Sequence, residues 1–402
     1  MMEQDIHTSE RHLTIRNLGP IHLANINMKR VNVVIGEQSS GKSCLLKTAS
    51  YCAKVEERIK IEQSADYFKQ GDAFIRLFIQ FHKMGDFVND ETEIAYESGY
   101  MRFSYVHKQR EFSFDWKSCR WEYERPKVSY IPSERNLVAA IPNWFQVTFD
   151  SNNMKEFMAD WEDARKSMSK GYDVLNLGVS YYYDPSNKSD RVRINNAKTI
   201  HFSNSSSGLQ SLIPLLVLLN YITSDEYRQE NNHNFDKSQE RGKVLIALTK
   251  YYREHLDELR SLVSVGKDER LIWDDGFGNT QYHQAVIDMF DDITQHFITA
   301  HHCDIFLEEP EQNLFPPTQG VLIQHLMALT EGHRHHRLFI ATHSPYILGK
   351  MLERMDYDFG LFYIQPGNNG MSEVREATEQ DIQEIYEDGV DAFFNIETLG
   401  HE

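Results

Sequence analysis

The sequence predicts an α/β fold with a parallel core sheet, an antiparallel β portion and a helical insertion. Three observations carry this. "VNVVIG" (Val31–Gly36) is a near-continuous apolar run ending in glycine, as in a strand buried on both faces, and a helical pattern follows it. "DIFLEEP" (Asp304–Pro310) is a second apolar run, stopped by two carboxylates and a proline. From residue 303 onward, strand and helix patterns alternate.

The elements follow in order. Residues 12–35 read as three strands, "HLTIRNLG", "IHLANINM" and "VNVVIG", and a helix runs from Gly41 to about Lys60. From Phe74 to Tyr123 the segments "FIRLFIQF", "EIAYES" and "MRFSYVH" alternate, predicting antiparallel hairpins. "KVSYIPSER" (Lys127–Arg135) is a buried strand broken by proline. A half-polar helix is expected over 143–170, strands at "YDVLNLGVSYYYD" and "RVRINNAKTIHF", and a helix from near Ser207. Residues 223–242 read as a charged connection, followed by helical patterns at 243–264 and 281–300. Strands are then expected at 303–308, 337–342, 359–364 and 372–376, and helices at 316–331, 345–355 and 378–390. The organisation expected is an N-terminal lobe (1–135), a helix-and-strand insertion (136–200), a serine-glycine loop and helix (201–222), a helical insertion (223–302) and a C-terminal lobe (303–402).

The bulk numbers narrow the function. The chain has 402 residues, 41% hydrophobic and 25% charged, with a formal net charge of -18. That balance argues against a generally basic, nucleic-acid-coating surface, though not against a local basic groove. The four cysteines, Cys44, Cys52, Cys119 and Cys303, show no paired spacing, so a reducing, cytoplasmic setting is expected. The N-terminus carries no apolar run of signal type, and "LIPLLVLLNYI" falls short of the ~20 residues a spanning helix needs, so no membrane association is expected.

"GEQSSGKS", Gly36–Ser43, fits the phosphate-loop pattern G-x-x-x-x-G-K-[ST] in its strand-loop-helix context. Backbone N–H groups of Gly36, Glu37, Gln38, Ser39, Ser40, Gly41, Lys42, Ser43 and Cys44 are placed to form an anion nest at a helix N-terminus. Lys42 is expected to reach the β- and γ-phosphates of ATP, and the Ser43 hydroxyl to ligate Mg²⁺. This accounts for the adjacent carboxylates at the end of the second apolar run, which would repel each other without a cation. Glu308 is expected to hold the metal beside Ser43, and Glu309 to orient the attacking water.

"HFSNSSSGLQSLIPLLVLL" (His201–Leu219) is a serine-rich loop opening an apolar helix, a second anion site by the same physics. Two such sites for one phosphate suggest that the second closes on nucleotide held by another subunit, hence a homo-oligomer.

The order of phosphate loop, serine-glycine signature, acidic strand end and "ATHSPYIL" (Ala341–Leu348) resembles the P-loop ABC-type ATPase heads. Within these it resembles the branch containing SMC and RecF proteins, OLD-family ATPases and the ATPase subunits of anti-phage systems such as Septu and PARIS. "EEPE" (Glu308–Glu311), "THSP" (Thr342–Pro345) and "NLGPI" (Asn17–Ile21) are patterns common there. The resemblance implies an ATP hydrolase in which Ser207 and Gly208 touch the γ-phosphate of the partner's ATP and His343 contacts the γ-phosphate in its own subunit as a switch. Three positions depart from the pattern. Leu209 stands where a second glycine is usual, Phe315 where histidine is common, and Ser133, Glu134 and Arg135 replace a glutamine. Glu134 or Arg135 is expected to sense the metal or γ-phosphate instead; no residue is assigned to adenine.

The sequence shows no nuclease pattern, no long coiled coil and little chain after the histidine motif, which implies a separately encoded effector, a nuclease or toxin, with DNA or a phage-derived trigger as a further partner. The competing reading is a RecF-like ATPase acting directly on DNA. A transporter ATPase is disfavoured by the missing glutamine and the shortened signature. An AAA+ machine is disfavoured by the signature lying between the two nucleotide motifs. Histidines in "QHFITAHHCD" and "GHRHHRLF" read as solvated loop residues rather than a zinc site, "RVRINNAK" as a solvated strand face, and Cys44 as a small buried helix residue.

Overall fold

A computed structural model describes residues 11–141, 151–195, 197–224, 227, 235–266, 268–275, 279–353, 358–367 and 370–388. The strands are β1 (Arg11–Leu18), β2 (Ile21–Met28), β3 (Val31–Gly36), β4 (Glu93–Glu97), β5 (Met101–Val106), β6 (Glu111–Trp116), β7 (Pro126–Ile131), β8 (Tyr172–Asp173), β9 (Val179–Asp184), β10 (Ser189–Ile194), β11 (Lys198–His201), β12 (Ile272–Asp274), β13 (Thr280–Tyr282), β14 (His302–Glu308), β15 (Arg337–Ala341), β16 (Phe359–Pro366) and β17 (Ser372–Glu376).

Eleven of them form one sheet in the order β6-β5-β4-β1-β2-β17-β16-β3-β15-β14-β7. The part from β16 to β7 is parallel throughout. The part from β2 through β1, β4 and β5 to β6 is antiparallel. β17 joins the two, antiparallel to β16 and parallel to β2. The fold is therefore mixed α/β, with the parallel core and antiparallel portion fused into one continuous sheet.

β3 is central, and all six of its residues are buried. Its side chains alternate between two cores. Val31, Val33 and Ile35 face one side, packing with Leu212, Leu216 and Leu219 of the helix Ser207–Ile222 and with Leu322 and Leu326 of the helix Pro316–Glu331. Val34 faces the other, with Leu45, Leu46 and Ala49 of the helix Lys42–Glu62. Two covered faces are what an uninterrupted apolar strand requires. Each such leucine contributes about 1.5–3 kcal/mol on burial, so a charge at Leu216 would break the layer. A third cluster, built on Val244, Leu248, Tyr252, Phe290 and Phe297, joins the helices Phe235–Glu254 and Gln284–Ile298 to Trp121 and Tyr123.

Four expectations change. Phe74–Phe81 lies in a helix, Ala73–His82, not a hairpin strand. Residues 235–242, expected in a connection, open the helix Phe235–Glu254, and the pattern at 243–264 is split there by His255 before a short helix Leu256–Leu262. β12 and β13 form a hairpin that the sequence did not signal. Between β7 and β12 in the chain, β8 to β11 make a separate four-stranded antiparallel sheet. The expected starts or ends at 143, 355 and 390 lie outside the described residues.

Candidate active site

β3, β14 and β15 are neighbours and end at the same edge, which brings together three loops remote in sequence. After β3, the chain turns through Ser39, in the left-handed region at φ 66°, and Gly41 at φ 118°. A Cβ at Gly41 would lie 2.9 Å from Ile21 Cγ1, so only glycine fits this approach. The helix then begins at Lys42 with no side chain capping it. Its first-turn N–H groups are thus available to an anion. Lys42 is buried, and its ammonium donates to the carbonyl of Gly36 at 2.8 Å and to that of Glu37. Burial lowers its pKa to about 8, against the pull of Glu309, Glu311 and Glu37.

A cavity of about 600 Å³ opens over this loop, and Gln38, Ser39, Gly41, Lys42, Ser43, Cys44, Glu134, Glu308, Glu309 and His343 all line it. Glu308 is buried at the end of β14. Its Oε2 accepts from the Ser133 N–H at 3.4 Å. Its Oε1 has no well-formed hydrogen bond, although the Tyr130 hydroxyl lies close enough to feel the charge. Glu309 adopts φ 44°, rare for a residue with a side chain, while its N–H still pairs with the Ala341 carbonyl at 2.8 Å. Burial, then Glu311 and Glu308, raise its pKa. His343 Nε2 stands 3.9 Å from Glu309 Oε1, and burial followed by the Lys42 charge lowers the imidazole pKa.

These residues fit Mg²⁺ and a polyphosphate. The Ser40 hydroxyl and Glu308 Oε1 are buried without hydrogen-bond partners among the described residues. Lys42 rests on loop carbonyls that a phosphate could replace. A Mg²⁺ ion held by Ser43 and Glu308 would neutralise phosphate charge.

Three of the expected residues lie outside this cavity: Arg135, and Ser207 and Gly208, which were expected to meet a partner's nucleotide. Arg135 does not line the cavity. It is fully buried beneath it, and its guanidinium donates to the carbonyls of Ser211 (3.1 Å), Pro132 (3.2 Å), Glu308 (2.9 Å) and Glu309 (2.8 Å). Desolvation lowers its pKa to about 10. Its guanidinium therefore bonds the backbone of the acidic turn, outside the residues that line the cavity. Ser207 and Gly208 do not line the cavity either. Ser207 is exposed at the start of its helix, and a Cβ on Gly208 would come 2.9 Å from the Asn313 carbonyl. That close approach is a reason within the chain for the glycine. Cys44 is buried, its thiol donating to the Leu18 carbonyl at 3.6 Å, with its pKa pushed up to about 12 by burial.

Several contributors were missed. The carboxylate of Glu311 accepts from the His343 N–H at 2.6 Å and the Thr342 hydroxyl at 2.9 Å, fixing the histidine loop to the acidic turn. Its place in "EEPE" was the available signal. Pro20, Met84 and Phe87 form an apolar wall suited to a nucleobase, and Lys47 and Lys83 add charge to the same cavity. Phe87 comes into place because Gly19, at φ 55°, leaves room for its ring, a pairing no local pattern reveals.

No family model matches the sequence, and no curated protein does. Among solved structures, the chain is similar to the SMC head domain from Thermotoga maritima, at 10% identity and a TM-score of 0.42, covering 92% of this chain and 99% of that one. It is similar to an Smc head bound to the C-winged helix domain of ScpA, at 11% identity and 0.42, covering 93% and 99%. It is also similar to the Smc head domain with an extended coiled coil, bound to the C-terminal domain of ScpA, derived from Pyrococcus furiosus, at 8% identity and 0.38, covering 94% and 98%. These likenesses concern the fold alone.

Proposed function

We propose that this chain is a Mg²⁺-dependent ATPase whose nucleotide state controls a separately encoded effector, a nuclease or toxin, in prokaryotic anti-phage defence. The observation carrying the ATPase reading is the single cavity on which Lys42, Ser43, Glu308, Glu309 and His343 converge from three strand ends. Lys42 and the loop N–H groups bind phosphate, Ser43 and Glu308 hold the metal, and Glu309 accepts a hydrogen bond from the water that attacks the γ-phosphorus. The helix beginning at Ser207 has no side-chain cap and starts outside this cavity, which supports closure between two copies of the chain. The effector role rests on the motif resemblance.

The test compares Lys42→Ala and Glu309→Gln. Lys42→Ala should lose nucleotide binding. Glu309→Gln should retain ATP and lose turnover by ~10²-fold or more. Wild-type hydrolysis by Glu309→Gln would overturn the assignment.

A second reading, an ATPase acting on DNA, has one observation in its favour. The outer face of the small sheet presents Arg193 over the Tyr182 ring at 5.4 Å, with Arg191 and His201 opposite each other. Oligonucleotide-stimulated hydrolysis lost on Arg193→Glu would favour it.

A further inference from the structure

At the opposite end of the parallel strands from the cavity, three segments meet. Glu124 precedes β7, His301 precedes β14, and His296 lies in the last turn of the helix Gln284–Ile298. Backbone pairing holds them in register. The Arg125 N–H donates to the His296 carbonyl at 3.0 Å, and the His301 N–H donates to the Arg125 carbonyl at 2.8 Å. The imidazoles of His296 and His301 stack with centroids 4.8 Å apart and planes 5° from parallel. One ligand atom from each of Glu124, His296 and His301 lies within 4.8 Å of the others.

The protonation of His296 is set by its neighbour. Its Nδ1 lies 2.8 Å from the Asp292 carbonyl oxygen, which can only accept, so Nδ1 carries the hydrogen and Nε2 the lone pair. A histidine whose second nitrogen donates to a carbonyl is the arrangement that orients a metal ligand. The local charge also favours a cation. The nearby Arg125 guanidinium is bound by Glu57 and Glu240, each at 2.7 Å, and the Asp292 carboxylate lies 4.0 Å from His296.

We propose that Glu124, His296 and His301 form a binding site for a borderline transition-metal ion of the Zn²⁺ class. Two imidazole nitrogens and one carboxylate oxygen suit zinc rather than magnesium or calcium, which prefer all-oxygen sets. Bonds of about 2.0–2.2 Å require the ligand atoms to close to roughly 3.4 Å and, because a metal lies in the plane of each imidazole it binds, the stacked rings to turn toward a common point, both by side-chain rotation on a fixed backbone. Glu124 is exposed, leaving water as the fourth ligand. The ion would fasten the helix Gln284–Ile298 to the starts of β7 and β14, remote from the nucleotide cavity.

The test titrates chelator-stripped protein with Zn²⁺ by calorimetry and with Co²⁺ by visible absorption, both in excess Mg²⁺ to occupy the hard-ligand site. One equivalent should bind, with a tetrahedral Co²⁺ spectrum, and Zn²⁺ should raise the melting temperature. His296→Ala and His301→Ala should each weaken binding by more than about tenfold, and Glu124→Gln by less. Circular dichroism and nucleotide binding through Lys42 serve as checks on folding in each variant. Equal Zn²⁺ affinity in the folded His296→Ala/His301→Ala double variant, or no stoichiometric binding by the wild type, would overturn the site.

Discussion

The guanidinium of Arg135 donates to the carbonyl oxygens of both Glu308 and Glu309, at 2.9 and 2.8 Å. One buried cation thus holds the backbone of the two carboxylates expected to do different jobs, and it does so from below. Arg135→Met should leave those carbonyls unpaired and cost about 3 kcal/mol, read as a fall in melting temperature. Arg135→Lys keeps the charge but not the fork and should recover only part of the loss. In both, ATP turnover should drop more than ATP affinity, because Lys42 and its loop are untouched. Equal stability of Arg135→Met and wild type would count against this role.

Lys42 makes a pH prediction. Its pKa is held near 8 by burial, and phosphate needs the charged form, so affinity should be full below pH 8 and fall as pH rises through it. A bound phosphate would raise that pKa again, as any nearby anion does, so binding above pH 8 should take up nearly one proton. Calorimetry in buffers of different ionisation heat measures the uptake. It should vanish in Lys42→Arg, which stays charged. Affinity constant across that range would refute the shift.

Glu311 should act through the histidine loop. Glu311→Ala removes acceptors from the His343 N–H and the Thr342 hydroxyl together. Turnover should fall by ~10-fold or more, and because Thr342 is fully buried its orphaned hydroxyl should also lower the melting temperature. A Glu311→Ala enzyme as active as wild type would show that His343 needs no such anchor.

If sites are shared between copies, inactive variants should rescue each other. Lys42→Ala and Ser207→Arg damage opposite halves of a composite site. A mixed dimer retains one intact site, so mixing should restore part of the activity. Proven mixed dimers without activity would place the whole site in one chain.

Control of an effector requires the effector to bind open and closed forms unequally. Moving it from mostly held to mostly released takes on the order of 5 kcal/mol. If Ser207, Gly208 and His343 bond the γ-phosphate, charge-assisted bonds of roughly 1.5–3 kcal/mol each over two sites would exceed that amount. Co-purification with the product of the neighbouring gene, with ATP, with ADP and with Glu309→Gln, reads the difference directly. Cleavage of plasmid DNA by this chain alone, independent of Lys42, would instead identify an enzyme that acts on DNA.

The sequence was legible where function is local. The phosphate loop is eight consecutive residues between a strand and a helix, and both elements are present at Val31–Gly36 and Lys42–Glu62. It failed where two periods coincide. Phe74, Ile75 and Phe78 are buried at helical spacing, but the same run alternates well enough to pass for a strand. A charge beside a nucleotide motif suggests ligand contact, whereas the carbonyl partners of Arg135 include those of Glu308 and Glu309, more than 170 residues away. The meeting of Gly19 with Phe87, and of Glu124 with His301, is set by strand order, which no stretch of sequence displays.

That strand order governs when the protein can begin to work. β3, which carries the phosphate loop, is flanked on both sides by strands from the far end of the chain, β15 at Arg337–Ala341 and β16 at Phe359–Pro366. At a synthesis rate of roughly 10 residues per second, the loop leaves the ribosome about half a minute before either neighbour exists. During that interval β3 has two open edges, although the helices Lys42–Glu62 and Ser207–Ile222 that cover its faces are made before either neighbouring strand. A fragment released early would carry an intact phosphate-loop sequence with no sheet to hold it open. If the chain is an ATPase, hydrolysis would thereby be withheld from nascent and truncated chains, and the open edges of β3 are the part with most to gain from a chaperone.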